Sequence, residues 1–120
     1  MNWSRPCAYD GAQKSRFHAT GRSRLRRLAA ALDLRPGTYA IRSNMGGVAV
    51  SGEVTLRTPM LYVQLCQPSP GLDTGLMARS CSSGRDPSLG DRTQFLPLAA
   101  LDDIAALAAA VGRFHGEAAR

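Results

Sequence analysis

The stretch that decides the fold is TYAIRSNMGGVAVSGEVTLRTPMLYVQLC, residues 38–66. Tyr39 and Ile41 alternate with Ala40 and Arg42, the period of a strand with one apolar face. Asn44, Gly46 and Gly47 follow, the residue types that tolerate positive φ in a tight turn. Val48, Val50, Val54 and Leu56 then share one parity, with Ala49, Ser51, Glu53, Thr55 and Arg57 on the other. Gly52 stands on the apolar parity and marks a bulge or a close contact. Thr58-Pro59 makes a second reversal, after which Leu61, Val63 and Leu65 alternate with Met60, Tyr62, Gln64 and Cys66. The pattern predicts a three-stranded antiparallel meander with one apolar face. The opposite face carries Arg42, Glu53, Arg57, Tyr62 and Gln64, and is either solvated or a binding surface.

An apolar sheet face needs a cover, and the flanking segments supply helical patterns. Leu25, Leu28, Ala29 and Leu32 recur at helical spacing, which predicts a helix from Arg22 that ends near Leu34 because Pro36 and Gly37 follow. Residues 1–21 show no periodicity and contain Pro6, Gly11 and Gly21; they read as a basic, partly mobile arm. C-terminal to the meander, Leu76 to Cys81 reads as a possible fourth strand and Ser82 to Arg92 as a polar loop. Thr93 to Leu98 reads as a short extended piece. A final helix then starts near Asp102 and Asp103 and buries Ile104, Leu107, Ala108, Val111 and Phe114. The expectation is one α+β domain over 22–116 with a tail at 117–120, order α-β-β-β-(β)-α, both helices on one face of the sheet.

Composition agrees with one folded domain: 120 residues, 44% hydrophobic and only 6% aromatic, so the core is built from Leu, Val and Ala. Cys7, Cys66 and Cys81 have no C-x-x-C spacing, and Cys66 and Cys81 read as small buried hydrophobes. Met1 to Thr20 has no apolar h-region, and the alanine-rich run Ile104 to Val111 is too short to span a bilayer. A reducing, cytoplasmic location without membrane contact is the expectation.

The charge is lopsided. The first 60 residues hold ten basic and three acidic side chains, the last 60 five and six, so the net charge of +6 is an N-terminal property. Lys14 is the only lysine among the 15 basic residues. Between Lys14 and Arg27, the cations Lys14, Arg16, Arg22, Arg24, Arg26 and Arg27 are interrupted by no acid. With a helix starting at Arg22, four of them fall at the positive end of its dipole, where an anion would relieve them. Three readings stand: a solvated arginine face, a contact to a DNA or RNA backbone, and a contact to an acidic protein surface. Six phosphate contacts predict a salt slope of about −5 on duplex DNA.

Chemistry-bearing motifs are scarce. His18 and His115 have no ligand-spaced partner, so no metal site is predicted. No P-loop, dinucleotide fingerprint or nucleophile elbow is present, so neither cofactor nor catalytic residue is assigned. The secondary candidate is the loop around Arg85, Asp86, Asp91 and Arg92, with Arg79 just before it. Its Arg-Asp neighbours suit local ion pairs, acid-base work by paired carboxylates, or a glycine-lined phosphate approach.

The helix-sheet-helix order resembles the double-stranded-RNA-binding domain in topology, but that domain carries lysines where this chain has Asp102 and Asp103. Residues 15–114 are also similar to small proteins of proteobacterial integrative and conjugative elements. The similarity lies in Ser15-Arg16-Phe17-His18, LRPGTYAIRSNMGGVAVSGEVTL, LYVQ and FLPL. It implies a mobile-element context, with DNA-maintenance accessory proteins and inhibitors of host defence as the functions to expect.

Overall fold

In the computed structural model, residues 1–68, 74–80 and 92–119 are described, with side chains for all of these except 92 and 113–119. The chain is α+β: helix α1 (Gly11–Ala31), strands β1 (Ala40–Asn44), β2 (Glu53–Arg57), β3 (Leu61–Leu65), β4 (Leu76–Ser80) and β5 (Arg92–Leu96), a 3-10 turn (Leu98–Asp102) and helix α2 (Ile104–Ala119). The five strands form an antiparallel meander in the order β1-β2-β3-β4-β5. The extended piece expected near Thr93 is therefore a fifth strand.

The register sorts the residues into two faces. Ile41, Leu56, Val63 and Ala78 lie in one cross-strand row, and Ser43, Val54, Leu65 and Leu76 in the next. Val54, Leu56, Val63, Leu65, Leu76 and Ala78 join Phe17, Leu25, Leu28 and Ala29 of α1 and Leu107 and Val111 of α2 in one buried cluster. Both helices thus cover the same sheet face. Gly21 is what lets α1 lie close to it: a Cβ there would come within 3.0 Å of Leu65 Cδ1 and 3.2 Å of Val54 Cγ2.

Three expectations are corrected. First, α1 begins at Gly11, eleven positions before Arg22, and residues 1–21 are not an arm. Trp3, Cys7, Phe17 and His18 are all buried, with Trp3 edge-on to Phe17 at 6.0 Å. The N-terminal signal is Asp10, whose carboxylate accepts from Gln13 N–H at 3.0 Å. Asp10-x-x-Gln13 has the spacing of a capping box. Second, α1 ends at Ala31, earlier than Pro36 requires. Asp33 adopts φ +58, with Leu34 N–H donating to Ala29 O and Asp33 N–H to Ala30 O, the paired bonds of a Schellman stop. Third, Val48 and Val50 leave the strand and stand exposed in the turn before β2. The break comes at Gly52, at φ +72, where an added Cβ would strike the Asn44 carbonyl and come within 2.7 Å of Met45 O. The close approach read from its parity is present. Of the cysteines, Cys7 is the fully buried one and Cys66 is half-buried; Cys81 lies outside the described residues.

Candidate nucleic-acid interface

The six cations read as one anion-facing run divide into two sets. α1 contains no acid, and its register fixes which way each cation points. Lys14, His18 and Arg22 stand four residues apart on one side of the helix. All three engage β1 or the turn between β1 and β2. Lys14, 7% exposed, donates from Nζ to Gly47 O at 2.9 Å. His18 Nε2 lies 2.8 Å from Ser51 O; a carbonyl only accepts, so Nε2 carries the proton. Arg22 Nη1 donates to Ser43 Oγ at 2.8 Å. The backbone adds Tyr9 N–H to Val48 O at 2.7 Å. Two of the six supposed phosphate contacts, Lys14 and Arg22, therefore work inside the fold or beside it.

Arg24 is also engaged. It is half-buried, with Nη2 3.9 Å from Asp102 Oδ1. The same carboxylate oxygen accepts from Trp3 Nε1 at 2.9 Å and faces the Met1 ammonium at 4.0 Å. Asp102 ties the N-terminal segment, α1 and the approach to α2 together. The acid at the start of α2 is Asp103, which accepts from Ala106 N–H at 3.1 Å.

Arg16, Arg26 and Arg27 remain. All three are exposed and make no hydrogen bond or ion pair with another described residue. Arg16 and Arg27 are about three turns apart and so project on the same side, roughly 16 Å from each other along the axis; Arg26 stands about a quarter-turn round from Arg27. Thr20 and Ser23 lie on the same outward stripe. The dipole argument is reversed by the true start of α1: Arg26 and Arg27 lie in its C-terminal half, where a cation carries no penalty. Their exposure, not dipole frustration, now marks the surface.

Of the secondary candidates, Arg79 is half-buried on β4, paired in register with Tyr62 and Thr93 on the uncovered sheet face. Arg92 opens β5 opposite Ser80, and Arg85, Asp86 and Asp91 lie outside the described residues. His115 is in α2, with its side chain also outside them. Arg42 and Arg57 are exposed on the uncovered face, so they do not join Arg16, Arg26 and Arg27, which project from a helix packed on the other side. Among the described residues no three His, Cys, Asp or Glu side chains converge as metal ligands would. No described helix is long and apolar enough to cross a membrane.

No protein-family model, curated protein or solved structure matches this chain.

Proposed function

We propose that the protein is a non-enzymatic accessory protein that contacts nucleic-acid phosphates through the outward side of α1. The observation that carries this reading is that Arg16, Arg26 and Arg27 stand exposed and unpaired among the described residues on a helix without a single acid. Guanidinium forks suit phosphate oxygens, and a stripe of them along a rigid helix keeps a fixed register on a backbone. A mobile-element setting goes with the resemblance over residues 15–114. Three contacts in place of six reduce the expected salt slope on duplex DNA to about −3. Fluorescence anisotropy with labelled DNA and RNA across a salt series tests it; binding that is absent, or that does not weaken with salt, removes the reading.

A second reading has its own observation. Tyr9 is 79% exposed at φ +62, and it adjoins Val48, which is 74% exposed. Met45 and Val50 are exposed in the same turn, giving an uncharged apolar tip. Such a tip suits a protein-binding inhibitor or adaptor. A partner retained from nuclease-treated lysate by the wild type, and lost with Val48→Ser, supports it over nucleic-acid contact.

A further inference from the structure

The sheet face opposite the helices has a composition that plain solvation does not account for. Two cross-strand rows define it. Ala40, Arg57, Tyr62, Arg79 and Thr93 form one; Arg42, Thr55, Gln64, Met77 and Phe95 form the other. Among the described residues the face carries Arg42, Arg57 and Arg79 together with the carboxylate of Glu53, and Arg42 and Arg57 are exposed. Phe95 is 57% exposed, next to Met77 on the neighbouring strand. The Arg57 guanidinium lies over the Tyr62 ring, 5.3 Å from its centroid, and the Tyr62 hydroxyl donates to Gln64 Oε1 at 2.8 Å.

We propose that this face binds single-stranded nucleic acid, with one base stacked on Phe95, a second on the Arg57–Tyr62 stack, and the strand's phosphates met by Arg42 and Arg57. Each part follows from the chemistry of the face. An exposed aromatic ring and a flat guanidinium offer π surfaces that any unpaired base can cover. A duplex hides its base faces, and the sheet presents no helix or ribbon to enter a groove. Gln64 and Thr93 place hydrogen-bonding groups between the stacking positions, where base edges would lie. The exposed guanidinium groups of Arg42 and Arg57 complement a phosphodiester chain. An acidic polypeptide without aromatic side chains shares that charge but brings no planar ring to Phe95.

The inference goes beyond the helix reading and does not require it, because the two surfaces lie on opposite sides of the domain. The test uses the full chain and anisotropy with labelled oligothymidylate and oligouridylate of about 20 nucleotides, and with a duplex of the same length. Phe95→Ala and Arg57→Gln alter exposed side chains, and circular dichroism with thermal melting verifies that each variant is folded. Phe95→Ala is expected to weaken single-strand binding at least about 5-fold while duplex binding changes less than about 2-fold. The Arg16→Ser/Arg26→Ser/Arg27→Ser variant is expected to show the opposite preference. Single-strand affinity unchanged by both Phe95→Ala and Arg57→Gln overturns the inference and leaves the helix reading standing. Loss of duplex binding in the triple variant without any single-strand binding by the wild type does the same. Polyglutamate that binds with equal affinity and equal dependence on Phe95 overturns it in favour of an acidic protein partner.

Discussion

Asp33 holds a backbone conformation that L side chains adopt at a cost, φ +58, to close the Schellman stop after α1. It also puts a carboxylate at the negative end of the helix dipole. Asp33→Gly is therefore expected to stabilise the protein by about 0.5–1 kcal/mol, read as a higher midpoint in urea at unchanged slope. A lower midpoint would contradict the account of the stop. Cys7 makes a second prediction at this scale. Burial pushes its thiol above the ordinary 9.0, the Asp10 carboxylate adds to the shift, and Lys14 opposes it. Between the ordinary and the raised value the folded chain holds a proton that the unfolded chain has released. The stability linked to Cys7 is thus complete below about pH 9 and falls as pH rises toward the folded value. Urea melts at pH 8, 9 and 10 check this, and Cys7→Ala should flatten that part of the profile. Tyr62, raised by burial from 10.0, enters at the alkaline end.

At the scale of elements, α1 is tied to β1 and the β1–β2 turn by three side chains. Lys14, His18 and Arg22 project from successive turns of the helix and hold Gly47, Ser51 and Ser43. Gly52 permits this: an added Cβ would lie 2.9 Å from His18 Nε2. Lys14→Met keeps the buried stem and deletes the donor. We expect it to lower amide-exchange protection in α1 and β1, to cost about 1 kcal/mol, and to leave nucleic-acid affinity within about 2-fold of wild type. A large loss of affinity would place Lys14 on the binding surface instead. The sheet was legible in the sequence because β2 and β3 alternate cleanly, Val54 and Leu56 then Leu61, Val63 and Leu65, and all five are buried. The start of α1 was not, because Gly11 and Gly21 read as breakers. Gly21 is in fact the close-packing point on Leu65 and Val54, and the Asp10-x-x-Gln13 signature was present upstream. The cations were legible as a cluster but not as individuals. Whether Lys14, Arg22 and Arg24 face inward or outward depends on the helix phase, and on Gly47, Ser43 and Asp102, which are remote in sequence.

At the scale of the whole molecule, exposed arginines among the described residues occur on both sides of a two-layer domain. Arg16, Arg26 and Arg27 line the outside of α1, while Arg42 and Arg57 stand on the uncovered sheet face. Lys14, Arg22 and Arg24, half of the helix cations, are tied to Gly47, Ser43 and Asp102, and this sets a quantitative expectation. The measurement that tests the central claim most directly is the salt dependence of duplex binding by the wild type and by Arg16→Ser/Arg26→Ser/Arg27→Ser, titrated from about 50 to 200 mM salt. The account predicts a wild-type slope of about −3, and binding by the folded triple variant that is at least about 10-fold weaker and nearly independent of salt. A triple variant that binds as tightly as wild type with the same slope would contradict it.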